Sequence, residues 1–373
     1  MAVTRQDSWQ QQRVRSVERV HVRTRYPRTI GRNARLGSHG PGPTSSMAVI
    51  ETEDGVLGQG IIEGSGTPLP DLTGRALGDI FDADTGVTDP AALRLDLALH
   101  DLVARLLDVP VFGLLGARGD RSIRCYSGAI YLDDLDPQDA PRGIAAVLEN
   151  CASDNAAGFR DFKLKIGRGA RWMDADAGLR RDIEVTRAVR EAYPDARILV
   201  DANNGYSVDG FLRYLDGVLD CELFWVEEPF QEDETDLLRL RTYLRERDDR
   251  IRIADGEFEP DEQQLLVLAE RGLLDVLLMD VCSYGFTAWR RLMPTLGELG
   301  VEASPHAWGL PLKSLYAAQL AAGLGNVVTV EGVPGNTAQI GTTSYHLTDG
   351  MLTVPDHPGF GVVVDTTKKS EQA

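Results

Sequence analysis

The chain has 373 residues, of which 43% are hydrophobic and 26% are charged, and its formal net charge is −18. This length accommodates two domains, or one large barrel with an added module. An acidic chain without clustered Lys and Arg is not expected to bind nucleic acid, although a bound cation can still make an acidic cleft attract an anion.

Two further features of the sequence bear on the cellular compartment in which the protein is expected. No stretch approaches the roughly 18 to 20 continuous apolar residues that span a bilayer, and the segment MAVTRQDSWQQQRVRSVERV lacks an apolar signal core. The cysteines are scattered without a CxxC pair, which favours reduced thiols. They are Cys125, Cys151, Cys221 and Cys282. We therefore expect a cytoplasmic protein with no membrane partner.

The N-terminal part of the chain predicts a small α+β module. Alternating residues predict a strand around Val17–Thr24, and Asp54-Gly55 between two apolar runs predicts a hairpin turn. Residues 89–107 predict a helix with an apolar side. The module therefore consists of a strand meander followed by helices.

A long loop at 30–46 interrupts this module. Its sequence is rich in Gly, Pro and Ser, and ordered loops of this length often cover binding sites. We expect an active-site lid whose Arg32, Arg35 and His39 contact the far end of a substrate. The alternative is a mobile connector that carries surface cations.

From about residue 123, short apolar runs alternate with amphipathic helical stretches, which predicts parallel βα units. Eight such runs favour a closed (β/α) barrel of the TIM type over an open doubly wound sheet, because no Gly-rich phosphate turn is present. The predicted strands are 123–129, 162–167, 198–203, 224–228, 251–257, 276–281, 301–307 and 327–332, and the predicted helices include 174–193, 207–219, 260–272, 286–299 and 311–323.

Ionisable residues end seven consecutive strands, about one βα unit apart. In a barrel the carboxyl ends of all strands meet at one mouth, where barrel enzymes hold their active sites. A single acid at a strand end is weak evidence, since strands often end in polar residues at the surface. These residues are Lys163 and Lys165, then Asp201, Glu227, Glu257, Asp280, His306 and Glu331.

Asp201, Glu227 and Glu257 lie on three successive predicted strands. Together they would repel one another and raise their pKa values, and a hard dication resolves that conflict. Mg²⁺ suits oxygen ligands, whereas zinc fits less well because no His or Cys belongs to the set. The sequence therefore predicts a magnesium site, with a rim held by salt bridges as the alternative.

Two potential bases flank this site. Lys165, near a dication and Lys163, should have a lowered pKa and act as a base. His306 titrates in the physiological range, and Asp280 on the preceding strand is placed to orient its imidazole. A packed or solvent-facing histidine is the alternative for His306.

In order along the chain, these motifs resemble the enolase superfamily, and within it the mandelate racemase subgroup. The resemblance covers nearly the whole chain. The matching segments are Phe162-Lys163-Leu164-Lys165, Val200-Asp201-Ala202-Asn203, Trp225-Val226-Glu227-Glu228-Pro229, Ala254-Asp255-Gly256-Glu257, Asp280 with His306, Glu331, 97–119 and 350–365. Asp255 departs from the pattern, and we expect it to be a solvated or Lys-paired turn residue.

The resemblance implies a modified (β/α)7β barrel over 123–349. A capping domain over 1–122 would be completed by a C-terminal segment, 350–373, that packs back on it. It also implies a symmetric multimer, between a dimer and an octamer.

The resemblance implies roles for further residues of the site. Lys163 would neutralise one oxygen of the substrate carboxylate, and a protonated Glu331 would donate to the other. Asn203 is assigned to substrate binding. Coordination to Mg²⁺ would spread the charge left by the α-proton into an ene-diolate.

Two outcomes follow proton loss. Expulsion of a β-hydroxyl makes the protein a lyase that dehydrates an acid sugar to a 2-keto-3-deoxy acid, in carbohydrate catabolism. Reprotonation on the opposite face makes it a racemase or epimerase of a 2-hydroxy acid. We favour dehydration. A metal hydrolase is disfavoured because no HxH motif supplies histidine ligands. A non-catalytic binding protein is disfavoured because Lys165, Asp280 and His306 are all present.

Overall fold

A computed structural model describes residues 9–64, 66–342 and 344–364. The nine α-helices in these residues are α1 Asp96–Leu106, α2 Val111–Leu114, α3 Ile144–Ala156, α4 Ala175–Ala192, α5 Val208–Val218, α6 Glu234–Arg247, α7 Glu262–Glu270, α8 Phe286–Leu299 and α9 Pro311–Leu324.

The described strands fall into an N-terminal group, a central group and short C-terminal pairs. They are β1 Val14–Arg25, β2 Thr44–Thr52, β3 Leu57–Ile62, β4 Phe81–Asp82, β5 Gly86–Val87, β6 Ser122–Ile130, β7 Asp161–Lys165, β8 Ile198–Asp201, β9 Leu223–Glu227, β10 Arg252–Asp255, β11 Val276–Leu277, β12 Glu302–Ala303, β13 Val330–Gly332, β14 Asn336–Thr337, β15 Ile340–Gly341, β16 His346–Thr348, β17 Met351–Thr353 and β18 Val363–Val364.

In the N-terminal module, β1, β2 and β3 form an antiparallel meander covered by α1. Gly55 closes the predicted turn with a φ of 81°, a value that glycine adopts without strain. A Cβ atom on Gly58 would lie 2.3 Å from Leu102 Cβ of α1, and one on Gly60 would lie 2.4 Å from Ala98 N. These two glycines therefore allow the helix to approach the sheet closely.

The predicted helix at 89–107 is in fact two helical segments. A 3-10 helix over Pro90–Leu95 begins at Asp89, whose side chain accepts a hydrogen bond from Ala91 N. The α-helix proper begins at Asp96, which is buried and accepts hydrogen bonds from Thr287 of α8. The first residue of this helix is thus bonded to the second module, by which we mean the part of the chain from β6 onward.

The central strands are parallel and barrel-like in arrangement. They pair in the order β6 to β12, and β13 pairs in parallel with β6. A parallel bridge between Ala303 and Val327 links the end of β12 to the segment that leads into β13. The seven helices α3 to α9 lie in the connections between successive strands. The fold is thus of the α/β class. Its sheet is mixed, because β17 pairs with β6 in the antiparallel direction and β16 pairs in the same way with β17.

Several predicted strands are shorter than expected, and β11 and β12 are the shortest of them. β11 ends at Leu277 and β12 at Ala303, so Asp280 and His306 lie on the connections that follow them. These connections remain bound to each other beyond the strands. His306 N donates to Leu278 O at 3.1 Å, and Val281 N donates to His306 O at 3.0 Å. Backbone hydrogen bonds therefore fix both side chains although neither residue belongs to a strand.

Two predicted boundaries also differ. β2 already begins at Thr44, so the loop predicted at 30–46 ends three residues earlier. In the C-terminal segment, β17 pairs with β6 of the parallel sheet, and only later residues contact the N-terminal module. Phe360 N donates to Asp101, and Val364 N donates to Gln59. Residues 365–373 of this segment lie outside the described residues.

Among the described residues, none of the helices combines the length and the apolar character that a membrane crossing requires.

Candidate active site

Three carboxylates converge where neighbouring parallel strands end. Asp201 and Glu227 are register partners at the ends of β8 and β9, and Glu257 follows β10 by two residues. Their ligand oxygens all lie within 4.8 Å of one another. Glu257 Oε2 is buried and has no hydrogen-bond partner within the described part of the chain. An oxygen-rich cluster with an unsatisfied carboxylate oxygen fits a hard dication such as Mg²⁺.

The carboxylates of this cluster differ in their electrostatic environment. Burial and the charge of Asp201 hold the pKa of Glu227 well above its usual range. Burial acts in the same direction on Glu257, but His306 and Lys165 outweigh it and lower the pKa of Glu257 to about 2. Mutual repulsion thus raises the pKa of Glu227 as expected, whereas basic neighbours prevent this at Glu257.

Two buried lysines of β7 face the cluster. Lys163 Nζ lies 2.7 Å from Glu227 Oε1 and 3.4 Å from Asp201 Oδ2. Lys165 Nζ is paired with Asp201 Oδ2. Burial lowers the pKa of Lys165, but the charge of Asp201 outweighs that effect and raises the pKa. The raised pKa follows from the carboxylate beside the ammonium, and the expectation of a lowered pKa for Lys165 beside a bound dication stays a prediction.

His306 lies at the other side of the cluster. Its Nδ1 is 3.0 Å from Asp280 Oδ2, and its Nε2 is 3.3 Å from Glu257 Oε1. Burial lowers the pKa of His306, whereas Glu257, Glu331 and Asp280 raise it, and the net shift is upward. The other oxygen of Asp280 accepts hydrogen bonds from Cys282 N and Ser283 N at 2.8 and 3.0 Å. The orienting carboxylate is therefore held by the backbone.

Glu331 differs from the expectation that it is protonated. Lys163 Nζ lies 3.0 Å from its Oε1, and Ala307 N donates to its Oε2 at 2.9 Å. Burial would raise its pKa, but Lys163 and His306 outweigh burial and lower it. Both contacts favour the charged form, so Glu331 is a carboxylate in this arrangement.

Asp255 also differs from its expected role. It is not solvated but 2% exposed at the end of β10, and its Oδ2 has no hydrogen-bond partner among the described residues. Burial and the nearby Glu228 hold its pKa well above the usual range. The prediction of a solvated turn residue failed because Glu228 is distant from Asp255 in the sequence. The local sequence therefore does not indicate that the two acids lie close together.

The three basic residues of the loop are placed differently. Arg32 is paired with Asp136, and its guanidinium lies 4.6 Å from the ring of Trp172. Arg35 Nε donates to the backbone oxygen of Asn203 at 2.7 Å. Both cations are therefore already used to attach the loop to the second module.

His39 lies closer to the candidate site. Its ring packs against Tyr131 at 4.8 Å and against Trp308 at 6.0 Å. Burial lowers the pKa of His39, and the nearby Lys165 lowers it further. Asn203 is buried beside the cluster, and its Oδ1 has no hydrogen-bond partner in the described residues. Both residues therefore remain candidates for substrate contact.

Sequence reasoning missed several residues at this site. Tyr131 lies 5.4 Å from Lys165 Nζ, measured to the ring centroid. Trp225 Nε1 donates to Glu227 Oε2 at 3.0 Å. Lys313 Nζ lies 2.9 Å from Asp280 Oδ2. The position of Trp225, two residues before a strand-end acid, was a usable signal, whereas nothing in the local sequence indicated Tyr131 or Lys313.

Comparison with known proteins identifies the family of the chain. Residues 146–368 match the model of the enolase C-terminal domain-like family. A D-galactarolactone cycloisomerase from Agrobacterium fabrum is 26% identical over 361 residues, which cover 87% of this chain and 90% of that protein.

Two crystal structures are closely similar. A galacturonate dehydratase from a Geobacillus species, in complex with D-galacturonate and 5-keto-4-deoxy-D-galacturonate, is 32% identical, with a TM-score of 0.89 and coverage of 96% of each chain. A mandelate racemase/muconate lactonizing protein from Geobacillus sp. Y412MC10, in complex with magnesium and tartrate, is 32% identical, with a TM-score of 0.90 and coverage of 96% and 94%. The chain therefore belongs to the enolase superfamily, as an enzyme whose relatives are mandelate racemase-type dehydratases and cycloisomerases.

Proposed function

We propose that the protein is a Mg²⁺-dependent dehydratase that converts an acid sugar to a 2-keto-3-deoxy acid. The observation that supports this proposal is that Lys165 and His306 contact different members of one carboxylate cluster. Lys165 contacts Asp201, and His306 contacts Glu257. Two proton-transfer groups at one cluster suit a reaction in which one proton is removed and another is donated.

Asp201, Glu227 and Glu257 would hold the dication in this proposal. A bound dication would neutralise the cluster, which favours the neutral amine of Lys165, and would stabilise negative charge on the substrate carboxylate. Lys163 and Asn203 bind and orient that carboxylate. Burial of these side chains excludes water from the reacting group.

The proton transfers are assigned to two residues. Lys165 removes the proton next to the carboxylate, which gives an ene-diolate. His306, oriented by Asp280, then donates a proton to the departing β-hydroxyl, so that water leaves and an enol remains. The enol converts to the 2-keto acid. Glu331 acts as a charged partner of Lys163, in keeping with its lowered pKa.

The similar galacturonate dehydratase supports a polyhydroxy acid as the substrate class. Its complex contains a sugar acid and a keto-deoxy product. We propose that residues 30–43 form the lid of this site, in a (β/α)7β barrel of 123–349 capped by 1–122. A homo-oligomeric, cytoplasmic enzyme remains our expectation.

The test is a screen with Mg²⁺ and a panel of mono- and diacid sugars that includes D-galacturonate. Formation of a 2-keto acid is measured with semicarbazide. We expect at least one substrate, and we expect His306→Asn to reduce its turnover by about 10²- to 10⁴-fold, as removal of a general acid does. Undiminished turnover in His306→Asn would reject the assigned role.

A second candidate is racemisation or epimerisation of a 2-hydroxy acid, since two bases at one cluster also permit reprotonation on the other side. Solvent deuterium distinguishes the two reactions. Exchange of the α-proton without formation of a 2-keto acid would establish this candidate in place of dehydration.

The metal assignment has its own test, which needs no substrate. We expect Mg²⁺ to raise the melting temperature of the wild-type protein, because a ligand that binds only the folded state stabilises it. EDTA should reverse the increase, and Glu257→Gln should weaken it strongly. An equal Mg²⁺ response in Glu257→Gln would exclude this residue as a ligand.

A further inference from the structure

A half-buried lysine outside the carboxylate cluster joins three parts of the chain. Lys313 lies in the first turn of α9, and its Nζ is 2.9 Å from Asp280 Oδ2. The same ammonium lies 3.1 Å from Oε1 of Glu63, which follows β3 in the N-terminal module. Lys313 thus connects the carboxylate beside His306 to the N-terminal module.

This ammonium shares one oxygen with the imidazole. Asp280 Oδ2 is contacted by both Lys313 Nζ and His306 Nδ1, while backbone N–H groups occupy Oδ1. With both oxygens satisfied, the carboxylate has no freedom to rotate without losing charge-assisted hydrogen bonds. Removing Lys313 would leave only His306 to hold that oxygen.

The side chains of Lys313 and Asp280 are 12% and 13% exposed. At this depth an ammonium is costly unless it is paired, so its contacts are expected to be specific. Burial lowers the pKa of Lys313, but neighbours that include Cys282 and Asp280 raise it above its ordinary value. The group therefore remains charged between its two carboxylate partners.

We propose that Lys313 is a positioning residue for the His306–Asp280 pair, and that Glu63 of the N-terminal module supports this role through its direct contact with the Lys313 ammonium. This inference rests on the proposed function only where it predicts that substitution of Lys313 changes turnover. Its effect on the imidazole can be measured in the absence of any substrate.

The first measurement is a nitrogen-15 histidine NMR spectrum of the full-length protein with Mg²⁺. The resonance of the His306 Nδ1 proton is assigned by its loss in His306→Asn. We expect this resonance to shift or broaden in Lys313→Met and to return toward the wild-type position in Lys313→Arg, which keeps a cation between the two acids.

The second measurement is steady-state kinetics with the sugar acid that turns over fastest in the panel. We expect Lys313→Met to lower kcat by about tenfold or more, since a small misplacement of a reacting group has effects of that order. KM should change by less than about threefold, because Lys313 does not contact the substrate. Lys313→Arg should recover most of kcat.

Thr287→Val is the matched control. Thr287 Oγ1 donates to Asp96 at 2.5 Å and so also joins the two modules, but it does not contact Asp280. We expect this variant to lose thermal stability while its kcat and its His306 resonance stay at wild-type values. If Lys313→Met fails to fold, Glu63→Gln takes its place in both measurements. We then expect a smaller shift of the His306 resonance and a smaller loss of kcat, and wild-type values of both would overturn the proposal.

The outcomes of these measurements distinguish the positioning role of Lys313 from the proposed dehydratase function. A wild-type resonance in folded Lys313→Met, or a kcat equal to that of Thr287→Val, would overturn the positioning role. A shifted resonance together with a wild-type protein that acts on no acid sugar would support the positioning role and reject the dehydratase.

Discussion

At the scale of single residues, the site shows how neighbours set the charge of identical groups. Glu227 and Glu257 belong to one cluster, yet the pKa of the first is raised and that of the second is lowered. The difference follows from the neighbouring charge with the largest effect, which is Asp201 for Glu227, despite the close contact with Lys163, and His306 for Glu257. Residue type alone predicts that mutual repulsion raises the pKa of both glutamates. Only their neighbouring groups explain why the pKa of Glu227 rises and that of Glu257 falls.

Glu331 gives a prediction at this scale. Because Lys163 and Ala307 N hold it as a carboxylate, the neutral isostere in Glu331→Gln loses the ion pair with Lys163. We expect kcat/KM to fall by at least about tenfold, since a hydrogen bond to a charged group contributes about 1.5 to 3 kcal/mol. Steady-state kinetics with the best substrate of the panel measures this. Near-wild-type activity would instead support the protonated donor that the family resemblance implies.

At the scale of elements, the loop between β1 and β2 is attached to the second module along its length. Trp172 Nε1 donates to Asn33 O at 2.6 Å, and Arg35 Nε donates to Asn203 O at 2.7 Å. The first bond ends on the loop backbone and fixes its path, and the second anchors a loop side chain to the backbone of the segment after β8. The loop is thereby held close to the cluster, as a lid requires.

Trp172→Phe tests the role of the loop. The substitution keeps an aromatic ring and removes the hydrogen bond to Asn33, which contributes about 0.5 to 1.5 kcal/mol. We therefore expect KM to rise by roughly 2- to 10-fold, with a smaller change in kcat. Arg213→Met, which breaks an exposed pair with Asp176, is the control and should leave both constants unchanged. An unchanged KM in Trp172→Phe would remove the support for a lid.

At the scale of the whole molecule, one buried carboxylate joins three segments of the chain. Asp101 of α1 accepts hydrogen bonds from Gln59 N in β3 at 2.9 Å and from Phe360 N at 2.7 Å. Arg105 Nε donates to it at 2.8 Å. This one side chain thus bonds to β3, α1 and the C-terminal segment together, and Val364 N adds a second bond from that segment to Gln59.

Asp101→Ala should consequently destabilise the protein by about 3 to 5 kcal/mol, because it leaves buried N–H groups and Arg105 without their partner. Urea unfolding followed by circular dichroism measures the loss. Asp356→Asn, at an exposed pair with Arg121, is the control and should change the free energy of unfolding by less than about 0.5 kcal/mol. A small effect of Asp101→Ala would show that the segment is held mainly by apolar packing.

The sequence by itself determined the order of the elements and indicated the three carboxylates that the structure brings together in one cluster. Alternating apolar runs and amphipathic stretches indicate parallel βα units, because a buried strand and a helix impose different periods on the chain. Acids at successive strand ends then indicate a metal cluster, since parallel strands end at one edge of the sheet. The helices α3 and α6 were not singled out; the apolar periodicity of α6 is weak, as half of its residues are charged.

Tertiary structure alone decided the charge states and the contacts between modules. The carboxylate form of Glu331, the burial of Asp255 and the place of Lys313 each depend on residues distant in the chain. Periodicity predicts which face of an element is buried, but it carries no information about which side chain of another element lies opposite. Electrostatic energies vary steeply with that distance and with burial, so these properties follow only from the folded arrangement.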